Sequence, residues 1–158
     1  MEFPKVFPTS VTWYAHRVSY GETDAMGVLY YAEYLHIFER ARSQFLRERG
    51  MGYNLVEERG VILPVREAWC RYRAPSRYDD LIWVHCGVSG WGRASMRIVY
   101  EFLSEDRAQL RAQGYTEHPI VNTLGKLIAV PGWFKELCDS TPQAQPGLQP
   151  NEQTGAQQ

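Results

Sequence analysis

The sequence predicts an α+β fold in which a curved antiparallel sheet wraps around one long central helix. Two observations carry this prediction. Residues 31–49 form a single amphipathic helical pattern, and the chain after them holds four or five strand-like segments in succession with no second long helix. A parallel, doubly wound sheet needs a helix between consecutive strands, so the missing helices exclude that fold. The 158 residues are enough for one packed domain and too few for two full ones.

The first strand is predicted at residues 11–20 (VTWYAHRVSY), where β-branched and aromatic residues alternate between two faces. The next segment, residues 21–27 (GETDAMG), is bounded by glycines and contains an aspartate, which is typical of a turn. We therefore expect a strand that ends in a short loop leading to the helix.

The helix is predicted from about Tyr31 to Arg49, with Gly50 just past its end. Apolar residues recur at spacings of three and four, and charged residues fall outside that stripe. The apolar stripe consists of Tyr34, Ile37, Phe38, Ala41 and Phe45, and the charged residues outside it are Glu39, Arg40, Arg42 and Arg47. At about 1.5 Å per residue this helix would span most of a small domain.

A short helical turn is predicted at residues 54–58, and the rest of the folded chain is strand-like. Strands are predicted at residues 61–73, 81–89, 94–103, 110–121 and 125–130, with a closing helical turn at 131–137. Pro64 indicates a bulge or an edge position, and residues 90–93 (GWGR) indicate a hairpin. From residue 139 the composition becomes rich in Gln and Pro, so we expect a domain at 1–138 and a disordered tail at 139–158.

Charge and composition exclude several classes of function. Lys and Arg total 17 against 18 for Asp and Glu, so the basic excess of a nucleic-acid-binding protein is missing. No apolar run is long enough for a membrane span, and the first ten residues lack the apolar core of a signal peptide. We expect a cytoplasmic protein with three free cysteines. The scattered histidines and cysteines show no metal-ligand spacing, so we expect no metal site.

The loop before the helix is the first candidate site. A helix start offers unpaired N–H groups to a developing oxyanion, and a carboxylate just upstream can activate water or attack a carbonyl. Asp24 would supply that carboxylate. The alternative is that Asp24 is a turn residue or a helix cap, and Glu22 is a solvated neighbour or a hydrogen-bonding support.

The hairpin at residues 90–95 (GWGRAS) is the second candidate. It imitates a dinucleotide fingerprint, but Ser95 replaces the third glycine and a strand follows, which excludes nicotinamide binding. Arg93 and Ser95 either hold a phosphate or lie at the surface without a ligand. Five aromatic residues could line an apolar pocket or belong to the core: Tyr14, Trp69, Tyr72, Trp83 and Trp91.

Residues 17–46 (RVSYGETDAMGVLYYAEYLHIFERARSQFL) resemble the signature of the 4-hydroxybenzoyl-CoA thioesterase family of hotdog-fold proteins, which includes Tol-Pal-associated acyl-CoA thioesterases. Residues 72–80 (YRAPSRYDD) and the Gly125-Lys126 turn before Pro131 extend the resemblance. The resemblance implies a hotdog fold and hydrolysis of an acyl-CoA or aroyl-CoA thioester to free acid and coenzyme A, which is part of the substrate. No separate cofactor is expected.

By position, the resemblance makes Asp24 the catalytic nucleophile or general base, and the backbone N–H of Tyr31 the donor that polarises the thioester carbonyl. The Tol-Pal-associated branch usually has His where this chain has Tyr31, so the chain is more similar to the branch in which only the backbone acts there. Arg93 and Ser95 match positions that commonly contact the phosphates of coenzyme A. The resemblance also implies a homodimer or homotetramer with sites at the subunit interface.

Two other functions stay open from the sequence. One is a hotdog-fold hydratase or dehydratase of acyl thioesters, although the chain has neither Phe-Pro-Gly nor a His at the helix start. The other is a protein that binds acyl-CoA without catalysis. Release of free thiol from acyl-CoAs separates hydrolysis from both alternatives.

Overall fold

The computed structural model of the chain describes residues 3–143. Residues 144–158, which are most of the predicted disordered tail, lie outside the described residues, so that expectation stays a prediction. Within the described part, no helix is both long and apolar enough to cross a bilayer.

The chain forms five strands and three α-helices in the described part. Strand β1 is Val11–Arg17, and a short 3-10 helix at Tyr20–Glu22 precedes helix α1, Glu33–Glu48. Helix α2 (Tyr53–Glu58), β2 (Glu67–Tyr72), β3 (Leu81–Trp91), β4 (Ser95–Leu103), β5 (Leu110–Pro119) and α3 (Gly132–Asp139) follow. All strand pairs are antiparallel and the order across the sheet is β1-β3-β4-β5-β2, which confirms the predicted α+β class.

Helix α1 packs its apolar stripe on one face of the sheet. All five predicted stripe residues are buried, and Phe38 stacks on Tyr100 of β4 with ring centroids 4.2 Å apart. Phe38 also lies against β5, where a Cβ added to Gly114 would stand 2.5 Å from its ring. The close approach of helix and sheet therefore requires glycine at position 114. The prediction of one long central helix is confirmed.

Arg42 departs from its predicted place on the charged face of α1, because it is buried with 7% of its surface exposed. Its guanidinium donates to the hydroxyls of Tyr53 (2.6 Å) and Tyr100 (3.1 Å). The Tyr100 hydroxyl contacts Thr116 at 2.8 Å, and Thr116 contacts His118 at 2.7 Å. These five residues form a buried polar network, since a buried guanidinium needs hydrogen-bond acceptors.

Several element bounds differ from the sequence prediction. Helix α1 starts at Glu33 rather than Tyr31, and residues 125–130 form no strand. There the chain turns, with the Asn122 side chain accepting the N–H groups of Leu124 and Lys126, both at 3.0 Å. Hydrogen bonds to the Asn122 side chain take the place of the backbone hydrogen bonds of a strand, as is common for Asn in turns.

The end of the described chain returns to the domain. Helix α3 continues through Asp139, the Ser10 hydroxyl donates to the Ser140 carbonyl (2.9 Å), and the Gln143 N–H donates to the Glu48 carbonyl (2.7 Å). The chain therefore stays in contact with the folded domain up to residue 143.

Candidate active site

The loop that follows β1 is a tight turn closed by its own backbone. Thr23 and Leu29 form an antiparallel bridge, the Asp24 N–H donates to the Val28 carbonyl (2.9 Å), and the Gly27 N–H donates to the Asp24 carbonyl (2.9 Å). Gly27 has φ +76°, a left-handed conformation that side chains rarely adopt. The turn predicted from the sequence is thus built by its glycine and aspartate.

The Asp24 carboxylate is half-buried and uses its two oxygens differently. Oδ1 accepts the N–H of Met26 (2.9 Å) and lies 3.4 Å from the N–H of Val28. Oδ2 receives no hydrogen bond from residues 3–143. Asp24 is a turn residue, as the alternative interpretation expects, and its Oδ2 has no hydrogen-bond partner in the described part of the chain.

The start of α1 leaves donors open beside this carboxylate. Because the helix begins at Glu33, whose N–H donates to the Tyr30 carbonyl (2.9 Å), the Tyr31 N–H has no acceptor in the described part of the chain. The Tyr31 side chain is largely exposed. Tyr31 therefore offers the backbone donor that the resemblance implies, just before the first helical residue.

Asp24 and Tyr31 line the same pocket, which has a volume of about 300 Å³. Its wall is mainly apolar and aromatic, with three tyrosines from the helix start and from the end of β2. The lining residues are Asp24, Met26, Val28, Leu29, Tyr31, Tyr34, Tyr72, Arg73, Ala74 and Pro75. The fold thus brings the predicted carboxylate and the predicted donor together around an apolar space.

Of the five aromatic residues considered from the sequence, only Tyr72 lines this pocket. Trp83 instead contacts Trp13 edge to face, with ring centroids 6.4 Å apart, and Trp91 packs on Phe134. Tyr34 was not predicted as a pocket residue, because its helical spacing marked it only as core. Its position in the first turn of α1, three residues after Tyr31, was the available signal.

Glu22 holds the loop in place rather than facing solvent. Its Oε1 accepts the N–H and the hydroxyl of Ser19 (both 2.8 Å) and lies 3.1 Å from His16 Nε2, while its carbonyl accepts the Tyr30 N–H (2.9 Å). Burial raises the pKa of Glu22, but the Ser19 bonds and His16 outweigh it and lower the pKa below its ordinary value. Glu22 is the hydrogen-bonding support that one interpretation predicted.

Arg93 and Ser95 lie outside this pocket. They occupy the β3–β4 hairpin, which the Gly92 N–H closes by donating to the Ser95 carbonyl (2.8 Å). Asp24 is near the opposite end of β3, where Leu81 pairs with Arg17. Strand β3 has 11 residues, so roughly 30 Å separates its two ends. Within one chain the two predicted sites are therefore far apart.

The described residues contain no group of three or more His, Cys, Asp or Glu side chains arranged to hold a metal ion. The titratable groups among the lining residues of the pocket are instead one carboxylate, three phenols and the guanidinium of Arg73. Burial raises the pKa of the Tyr34 phenol, which keeps it protonated.

Comparison with known proteins identifies a family. Residues 18–137 match the model of the thioesterase-like superfamily. The chain is 34% identical over 118 residues to an Aquifex aeolicus protein, covering 75% of this chain and 90% of that one. It is 30% identical over 94 residues to the acyl-CoA thioester hydrolase YbgC of Escherichia coli O6:H1, covering 60% and 70%.

Among solved structures, the DHNA-CoA thioesterase of Staphylococcus aureus is similar in fold and in sequence. Its TM-score is 0.73 at 27% identity, over 81% of this chain and 86% of that one.

Proposed function

This chain belongs to the thioesterase-like superfamily, and from that premise we propose that it hydrolyses acyl-CoA or aroyl-CoA thioesters to a free acid and coenzyme A. The five-stranded sheet around α1 is the hotdog fold expected from the resemblance. One observation supports placing the reaction in the pocket described above: Asp24 and Tyr31, which have a carboxylate oxygen and a backbone N–H without partners in the described part, line the same apolar space.

In the first step of the proposed reaction, the thioester carbonyl oxygen accepts a hydrogen bond from the Tyr31 N–H. This donor stabilises the oxyanion that forms when the carbonyl carbon is attacked. Collapse of the tetrahedral intermediate breaks the C–S bond and expels the thiolate of coenzyme A. A thiolate is a good leaving group, so the step needs no metal to drive it.

Asp24 Oδ2 has two possible roles in that attack. As a general base it takes a proton from water while the water oxygen bonds to the carbonyl carbon, and the proton then passes to the departing thiolate. As a nucleophile it bonds to the carbonyl carbon itself, the thiolate leaves, and water hydrolyses the resulting anhydride. Both routes consume one water and restore Asp24.

A single turnover in ¹⁸O-labelled water, with enzyme in excess over substrate, tests for the nucleophilic route in which water attacks the Asp24 carbonyl of the anhydride. In the general-base route the product acid carries ¹⁸O from the first turnover. In the nucleophilic route, attack of water on the Asp24 side of the anhydride leaves the first product unlabelled and transfers ¹⁸O to the protein, where mass spectrometry locates it.

The experiment that tests the function is thiol release from a panel of acyl-CoAs with aroyl, short-chain and long-chain members. We expect steady release from at least one class, and the aromatic lining of the pocket favours an apolar or aryl acyl group. Binding without thiol release would contradict hydrolysis and indicate an acyl-CoA carrier. Addition or loss of water without thiol release would indicate a hydratase or dehydratase.

We further propose that Arg93 and Ser95 bind the phosphates of coenzyme A in a site completed by a second subunit. The separation of the hairpin from Asp24 within one chain supports a role at a neighbouring subunit's pocket. Both residues lie at the tip of a hairpin where a guanidinium and a hydroxyl can hold a phosphate.

Replacing Arg93 with Ala should raise KM for CoA thioesters about tenfold and leave kcat nearly unchanged, because the lost contact stabilises substrate and transition state equally. Thioesters of N-acetylcysteamine lack the nucleotide and should show no such rise. An equal rise in KM for both kinds of substrate would show that Arg93 does not contact the nucleotide.

We propose that the enzyme works in the cytoplasm. The three cysteines are all free, and Cys86 and Cys138 are buried thiols whose pKa values burial raises. Unpaired thiols suit a reducing compartment.

A further inference from the structure

We propose that Tyr72 is a positioning residue for thioester hydrolysis, whose hydroxyl holds the main chain at Tyr31 so that the Tyr31 N–H faces the substrate carbonyl. This inference rests on the proposed function and adds a residue to it. Tyr72 is the last residue of β2, 41 residues from Tyr31 in sequence, and both line the pocket. The Tyr72 hydroxyl donates to the Tyr31 carbonyl at 2.9 Å.

The main chain around Tyr31 is held at three points. The Tyr30 N–H donates to the Glu22 carbonyl, and the Tyr30 carbonyl accepts the Glu33 N–H, both at 2.9 Å. The Tyr30 carbonyl and the Tyr31 N–H belong to one planar peptide unit, so anchoring the carbonyl directs the N–H the opposite way. The third point is the bond from Tyr72 to the Tyr31 carbonyl, which fixes the next peptide unit.

The Tyr72 bond matters because helix hydrogen bonding has not begun at this position. Helix α1 starts at Glu33, so the Tyr31 carbonyl lies in the turn before it. Among residues 3–143, Tyr72 is its only hydrogen-bond donor. Without this bond the Tyr31 backbone could rotate, and its N–H would no longer point in one fixed direction. Stabilisation of the oxyanion by that N–H depends on its direction.

Strand pairing and a neighbouring aromatic ring hold Tyr72 in this position. Its strand pairs with β5 up to the Tyr72 and Ala112 pair, and its ring stands edge-on to that of buried Tyr34, with centroids 4.9 Å apart. Burial and the neighbouring Cys70, Tyr34 and Tyr31 raise the pKa of the Tyr72 phenol, so it stays protonated and remains a donor.

The test is Tyr72→Phe, which deletes the hydroxyl and keeps the ring and its contact with Tyr34. We expect kcat to fall about tenfold, because one positioning hydrogen bond is lost, with KM and Tm close to wild type. Tyr78→Phe is the matched control: Tyr78 is 59% exposed and contacts the ring of Tyr20, away from the pocket lining. It should leave all three values unchanged.

A spectroscopic measurement separates positioning from a general structural effect. In an Asp24→Asn background, which holds the substrate unreacted, the carbonyl-¹³C form of the acyl-CoA that wild type turns over fastest is bound and its C=O stretch recorded. A hydrogen bond from Tyr31 lowers this frequency, so adding Tyr72→Phe should move it to higher wavenumber. Adding Tyr78→Phe should leave it unchanged.

The outcomes distinguish this inference from the proposed function. If wild type releases thiol and Tyr72→Phe has wild-type kcat, or an unshifted carbonyl frequency, Tyr72 does not position the donor while hydrolysis stands. A drop in Tm together with equal losses for every substrate and an unshifted frequency would make Tyr72 merely structural. If wild type releases no thiol from any panel member, the function fails and this inference fails with it.

Discussion

At Asp24 one carboxylate oxygen accepts hydrogen bonds from the loop, and the other has no partner among residues 3–143. The N–H of Met26, at 2.9 Å, fixes Oδ1, whereas Oδ2 accepts no hydrogen bond from residues 3–143, and Asp24 lines the pocket. A single short side chain thus shapes the turn and, in the proposed reaction, supplies the reactive oxygen. The two roles separate experimentally, because an amide can take over the first and not the second.

Asp24→Asn should lower kcat about 10² to 10⁴-fold with little change in Tm, because Asn keeps an Oδ1 acceptor and loses basicity and nucleophilicity. Asp24→Ala should lose both the activity and about 1 kcal/mol of stability, since the loop N–H groups lose their acceptor. Steady-state kinetics and thermal melts check both variants. Near-wild-type kcat in Asp24→Asn would leave Asp24 as a turn residue only.

At the scale of elements, the buried polar network joins α1, α2, β4 and β5. Arg42 donates to Tyr100, which contacts Thr116, and the chain of bonds ends at His118 on β5. His118 Nδ1 faces the carbonyls of Leu63 (3.3 Å) and Pro64 (3.1 Å). These acceptors fix the Nδ1–H tautomer and leave Nε2 to accept from Thr116, so the network requires a neutral imidazole.

This requirement predicts a pH dependence of stability. Burial, together with the charge of Arg42, lowers the pKa of His118 to about 4. The unfolded chain binds a proton at this side chain near its ordinary value of about 6.5, so stability is full above that pH and falls as pH drops toward 4. The loss should be on the order of 3 kcal/mol, measured by urea unfolding at fixed protein concentration.

His118→Asn isolates this contribution. The variant should be less stable than wild type at pH 7, since the network loses a partner, but its unfolding free energy should change less between pH 7 and pH 4 than that of wild type. If the unfolding free energy of the two proteins changed equally between pH 7 and pH 4, the pKa of His118 in the folded state would not be lowered.

At the scale of the whole molecule, the sheet ends in two edge strands, β1 and β2. Exposed apolar side chains surround the β2 edge and the start of α1: Tyr31, Leu35, Val65 and Tyr72. An open strand edge beside such side chains favours pairing with another subunit. We expect a stable homodimer or homotetramer at micromolar concentration.

Light scattering checks the oligomeric state. Leu35→Lys combined with Val65→Lys should weaken assembly, because two charges would be buried at the contact. Leu124→Lys is the control, as Leu124 is 80% exposed and lies on the turn at residues 122–126 rather than on β2 or α1. A wild-type monomer would contradict both the assembly and the role of Arg93 at a neighbouring pocket.

The sequence alone determined the features that depend on local pattern. The spacing of Tyr34, Ile37 and Phe38 identified the face of α1 that the sheet buries, and the glycine-bounded loop located Asp24. These features were readable because helix periodicity and turn chemistry are properties of a few adjacent residues. The motif around that loop also identified the family, which the comparison confirmed.

Only the tertiary structure decided what depends on distant residues. Arg42 belongs to the polar side of α1 by sequence, yet it is buried because Tyr53 and Tyr100 supply acceptors from other elements. The contact between Tyr72 and Tyr31 joins residues 41 apart, and strand pairing alone sets it. Local pattern fixes which face a residue takes, whereas its partners come from how the elements pack, which no short stretch of sequence encodes.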